Sequence, residues 1–151
     1  APLATTAPSG EVPGRLDQGR RAGLGTAGTE VNDGWLDAAY VGGDFPRTDF
    51  ADAYPGFTAG AAAEAAKDAA LTSNQGIGAT VEEVVATKRE VTIDALAVKD
   101  QPEGVTARIL LAMRLSGDED LVDRVRGRVF LTHRDGQWKI FGYDLQREGA
   151  R

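Results

Sequence analysis

Near residue 78 the spacing of apolar side chains changes from about 3.6 to 2, the helical and strand periods, and this switch restricts the chain to α+β architectures with helices first. Upstream, Trp35, Leu36, Ala39 and Tyr40 recur at i, i+1, i+4 and i+5, which is one face of a helix. Thr29 is placed to cap that helix, and Gly42-Gly43 to stop it. A second, short helix is expected from Thr48 to Tyr54, ended by Pro55. A third is expected from Thr58 to Asn74, built on the alanine-rich stretch Ala59–Ala70 with Gly76 beyond its end.

Downstream, four segments alternate. Residues 82–98 end in Val91, Ile93, Ala95 and Ala97 on one face. Residues 104–116 alternate Val105, Ala107, Ile109, Leu111, Met113 and Leu115 against Arg108 and Arg114. Residues 121–133 alternate Val125, Gly127, Val129 and Leu131 against Arg124, Arg126 and Arg128, and residues 137–146 form a last strand. The connectors Asp100–Gly104, Gly117–Asp120 and Asp135-Gly136 are short, so neighbouring strands must be antiparallel. The expected fold is three N-terminal helices packed on a curved four-stranded antiparallel meander.

Residues 1–28 differ from the rest. They hold Pro2, Pro8, Pro13 and six glycines, but only Leu3, Val12, Leu16 and Leu24 as larger aliphatics, and no aromatic. Such a segment buries too little apolar surface to offset its ordering entropy, so it reads as a flexible tether with at most one helical turn around Leu16–Ala22. The folded domain then spans residues 29–151. The chain opens on Ala1, and the expectation is that a signal or membrane anchor preceded it.

The balance of 17 basic against 23 acidic residues, net −6, opposes non-specific nucleic-acid binding and charge-driven attachment to an anionic membrane. With no cysteine there is no disulfide, zinc-thiolate site or thiol nucleophile.

Trp35-Leu36-Asp37-Ala38-Ala39-Tyr40, the arginine-rich run Asp123–Thr132, and the final segment Asp135–Leu145, led by Trp138, follow one another in a set order. In that order the chain resembles the nuclear-transport-factor-2-like, or cystatin-like, fold over residues 29–147. Within that superfamily it is most similar to the extracytoplasmic domains of actinobacterial Mce-associated membrane proteins. The resemblance implies a cone of sheet and helices, an N-terminal membrane anchor, a location outside the cytoplasm, and a binding or scaffolding role. It makes Trp35, Tyr40 and Trp138 candidates for a pocket in the cone, and it raises pairing of two copies through the sheet.

Some members of that superfamily are isomerases or dehydratases, which need a tuned carboxylate inside the cone. Alternation turns Asp94 outward, and Asp37 lies off the stripe of Trp35, so Asp144 is the remaining acid, with Tyr40 and Tyr143 as donors. Both faces of the last strand are apolar, and the pattern leaves open which one Asp144 occupies. The lone histidine, His133, sits at a strand end, where a base would need an orienting partner that the sequence does not supply. One histidine also makes no paired-histidine metal site. Gly23–Gly28 fits G-x-G-x-x-G, but no strand precedes it, so it reads as linker and no nucleotide cofactor is implied. Asp118-Glu119-Asp120 with Asp123 lacks calcium-loop spacing and reads as a solvated hairpin tip.

Arg108, Arg114, Arg124, Arg126 and Arg128 share the outer face of the sheet. They form a candidate surface for an anionic partner, set against ordinary cross-strand pairing with Glu90 and Asp94. The expected function is therefore a non-catalytic envelope module that binds a protein or an amphiphilic molecule. The alternative is a small isomerase or dehydratase.

Overall fold

The computed structural model describes residues 18–98, 101–118, 120–134 and 136–149. The expected connector residues Asp100, Glu119 and Asp135, and tether residues 1–17, lie outside them. Helix α1 runs Gln18–Leu36 and continues into one wider π turn, Asp37–Val41. Helix α2 spans Ala59–Lys67 and α3 is the single turn Ala69–Thr72. Strands β1 (Val81–Val98), β2 (Gln101–Gly117), β3 (Leu121–Arg134) and β4 (Gln137–Gly149) form one antiparallel sheet in sequence order.

All four strands appear where alternation puts them, and two of them run longer: β4 continues past the expected end at Gln146 to Gly149. β2 begins at Gln101, with Pro102 already paired to Ala97, so the expected loop at 100–104 is mostly strand. The inward set is buried as expected: Val91, Ile93, Val105, Ala107, Ile109, Leu111, Met113, Leu115, Val125, Val129 and Leu131. The opposite helix stripe, Trp35, Leu36, Ala39 and Tyr40, is completely buried against them. Each large side chain buried here stabilises the fold by about 1.5–3 kcal/mol relative to exposure. That packing, not helix propensity, holds α1, whose sequence carries Gly23, Gly25, Gly28 and Gly34.

Three expectations about the helices are corrected. The first helix does not start at Thr29. Residues 18–28 are already helical, and Gly28 is buried because α1 approaches β1 so closely that a Cβ there would lie 2.7 Å from Ile93 Cδ1. The expected helix over 48–54 is absent. Asp49 Oδ1 accepts the Ala51 amide and Phe50 O accepts that of Ala53, so this segment forms turns that bury Phe50 and Ala53. Between Pro46 and Pro55 there is too little length for a helix to repay its nucleation. The third helix does begin at its Thr58 cap, whose hydroxyl accepts the Ala61 amide at 3.2 Å. It is interrupted at Asp68 instead of running to Asn74. There the hydroxyls of Thr72 and Tyr54 both donate to Ala65 O.

A β-bulge resolves the ambiguity of the last strand. Leu131 pairs with Ile140 and Phe130 with Gly142, leaving Phe141 as an extra residue. The inward parity therefore changes, from Ile140 before the bulge to Leu145 after it. Loop residues 56–58 flank β4 at the same point, where Thr58 N donates to Ile140 O and Ile140 N to Gly56 O, each at 2.8 Å.

Candidate functional site

Among the described residues, none packs on the outer face of the sheet, and the helices contact its inner side. The register fixes what that face displays. Thr92, Arg108, Arg128 and Asp144 form one row across the four strands. Lys88, Ala112, Arg124 and Glu148 form another, and Glu90, Leu110, Arg126 and Gln146 lie between them. Val85, Arg114 and Val122 make a row at one end. Near the other end, the rings of Phe130 and Phe141 pack at a tilt of 41° with centroids 6.4 Å apart.

All five arginines expected on this face are there and exposed. Their surroundings differ. Arg108 donates to Asp94 through Nε at 2.8 Å, and Arg126 donates to Glu148 at 2.8 Å. Arg114, Arg124 and Arg128 hold no ion pair among the described residues. Beside them lie the exposed apolar side chains of Val85, Val122 and Phe141, at 46 %, 59 % and 50 % exposure.

The acid–base candidates do not converge. Asp144 stands on the outer face opposite Arg128, because the bulge at Phe141 turns it away from the helices. Tyr143 points the other way and donates to Asp68 Oδ2 at 2.7 Å. Burial and that carboxylate raise the tyrosine's pKa. His133 is exposed and packs on Trp138 at 5.0 Å between centroids. The proposed pocket residues are packed core. Trp35 and Tyr40 have no exposed surface, sit edge to face at 5.6 Å, and donate to Thr72 O and Leu71 O. Trp138 is only partly buried, at the edge of that core.

An open groove of about 800 Å³ lies elsewhere, between the 48–55 segment and the outer side of α2, lined by Phe50, Tyr54, Pro55, Ala62 and Ala66. Among the described residues, no cluster of His, Asp and Glu is arranged to hold a metal, and no helix is long and apolar enough to cross a membrane. The G-x-G-x-x-G stretch lies inside α1, so it offers no phosphate loop.

Comparison with family models, curated proteins and solved structures finds no match to this chain.

Two buried arginines were not singled out by the sequence. Arg147, on the inward side of β4, donates to Asp123, to Asn74 Oδ1 and to the carbonyls of Ala70 and Ser73. Asp123 is therefore 1 % exposed and ion-paired, not part of a solvated hairpin tip. Arg89 reaches Asp33 at 2.9 Å and Asp37 at 2.8 Å on α1. The signal was present: Arg147 keeps the parity of Tyr143 and Leu145, and Arg89 that of Val91 and Ile93. Both are structural side chains, and their charges are met inside the domain.

Proposed function

We propose that this protein is a non-catalytic binding or scaffolding module of the cell envelope, acting outside the cytoplasm, and that the outer face of its sheet is the working surface. The observation that carries the reading is the set of unpaired guanidiniums on Arg114, Arg124 and Arg128, interleaved with exposed Val85, Val122 and Phe141, on a face that no described element covers. A surface combining arginine with exposed aromatic and aliphatic side chains has the composition of a protein interface. The filled interior around Trp35 and Tyr40, and the divergence of Asp144, Tyr143 and His133, favour it over an isomerase or dehydratase. The sequence resemblance to the nuclear-transport-factor-2-like fold and to Mce-associated domains supports the envelope location, and the helices-then-meander order agrees with that cone-shaped fold.

The test is site-specific photocrosslinking in intact source cells, with the photoreactive residue at Phe141 or Val122 and a control at Gln75 in the groove. The expected result is a discrete adduct from the sheet positions that disappears in Arg114→Ala/Arg124→Ala/Arg128→Ala. Adducts only from Gln75, or adducts indifferent to the arginines, would overturn the proposal.

A further inference from the structure

We infer that the occupant of the outer sheet face is an acidic polypeptide segment, not a second copy of this chain, laid across Arg114, Arg124 and Arg128. This rests on the reading of that face as the binding surface and adds the chemistry of the partner.

The central strands of the face are purely basic and its margins mixed. The five arginines occupy β2 and β3, where the outer face carries no acid, while Glu90 and Asp94 share β1 with Lys88, and Asp144 and Glu148 share β4 with Lys139. A two-fold axis in the contact plane through the middle of the sheet would lay β2 and β3 of one copy over β2 and β3 of the other. Arginines would then face arginines, and isologous pairing cannot avoid this while the sheets overlap centrally. The arrangement that satisfies the face is the inverse one, negative along the centre.

A planar anionic surface does not provide it. A bilayer would press the same negative charge on Glu90, Asp94, Asp144 and Glu148 as on the basic centre, and the chain as a whole carries net −6. A polypeptide places its carboxylates selectively. Arg114 lies across from Val122, six residues from Arg128, so the unpaired guanidiniums span about 20 Å at about 3.4 Å per residue. Arg124 falls a third of the way along. An extended segment with carboxylates on alternate residues turns them all to one face and meets that span, and apolar residues of the same parity beyond the carboxylates reach Val122 at one end and Phe141 at the other. Arginine suits the task because its planar fork takes a carboxylate through two parallel hydrogen bonds, which lysine does not.

The experiment is fluorescence anisotropy on the full chain with two synthetic peptides of about a dozen residues, one alternating Glu and Val, the other Lys and Val. Binding of the Glu–Val peptide is expected, weakening steeply as salt rises. Affinity should fall by at least about tenfold, the equivalent of one lost strong charge pair, in Arg114→Ala/Arg124→Ala/Arg128→Ala. Replacement of the three by Lys should give an intermediate loss, and circular dichroism checks that each variant folds. Preference for the Lys–Val peptide, equal Glu–Val binding by the triple alanine variant, co-flotation with anionic vesicles, or arginine-dependent dimers in light scattering would each overturn the assignment. Crosslinks from Phe141 without Glu–Val binding would remove the acidic segment and leave the binding face standing. Absence of those crosslinks would remove the face itself.

Discussion

The Arg147 guanidinium and the Asp123 carboxylate form a buried pair between neighbouring strands, with Arg147 Nε 2.9 Å and its terminal nitrogen 2.8 Å from the same Asp123 oxygen. The remaining donors of Arg147 take Asn74 Oδ1 at 2.6 Å, Ser73 O at 2.7 Å and Ala70 O at 3.0 Å. Asn74 in turn donates to Tyr40 O, and its amide to Ala39 O, so carbonyls left free at the π turn are met. One ion pair thus ties the end of α1, the end of α3 and the two last strands together.

Removing one partner of that pair should be costly, because the other charge is left buried. Arg147→Met and Asp123→Asn are each expected to lower unfolding free energy by about 3–5 kcal/mol. The double variant Asp123→Leu/Arg147→Met should lose clearly less than the sum of the two singles. Urea unfolding monitored by tryptophan fluorescence measures all three.

Arg89 predicts an asymmetry. Its side chain is 4 % exposed, whereas Asp33 and Asp37 are 33 % and 56 % exposed. Losing the arginine leaves two acids that water can reach, while losing both acids leaves a guanidinium in the core. Asp33→Asn/Asp37→Asn should therefore destabilise more than Arg89→Met, by about 1–2 kcal/mol. An equal or reversed order of urea midpoints would contradict this.

Alkaline pH should expose Tyr40. Burial raises its pKa well above the ordinary value near 10, and the nearby Arg147 offsets this only in part. Above pH 10 the unfolded chain releases this proton while the folded chain keeps it. The unfolded state then binds fewer protons, and stability falls as pH rises, by about 1.4 kcal/mol per pH unit for this one group. Stability due to this group is intact below pH 10. Tyr40→Phe should flatten the fall by that amount, read from urea midpoints across the alkaline range.

Two glycines should respond in opposite directions to alanine. Gly127 has φ +144°, and a Cβ there would press on the Asp144 carbonyl, so Gly127→Ala should cost roughly 1–3 kcal/mol in backbone strain alone. Gly60, in the first turn of α2, has nothing within 4 Å of a Cβ. Gly60→Ala should stabilise by about 0.4–1 kcal/mol, because alanine narrows the unfolded ensemble. Thermal unfolding of the pair checks both signs.

Much of the sheet was legible in the chain, because burying one face makes alternation a local signal. Val105 to Leu115 and Val125 to Leu131 announce their burial, and the same parity turns the five arginines outward. Asp94 was readable as an outward residue and pairs with Arg108 across the strands. The helical region was less legible. Gly23, Gly25 and Gly28 suggest a linker by propensity, yet α1 continues through them to lie against β1 at Ile93.

By itself the sequence determined the four ribbons, their order, the stripe from Trp35 to Tyr40 and the arginine face, since each follows from a period carried by neighbours in the chain. Only the tertiary structure decided where α1 begins, that the 48–55 segment forms turns, that Phe141 bulges and sends Asp144 outward, and that Arg147 meets Asp123. Those outcomes depend on residues tens of positions apart competing for one interior, and no local pattern encodes which of them meet.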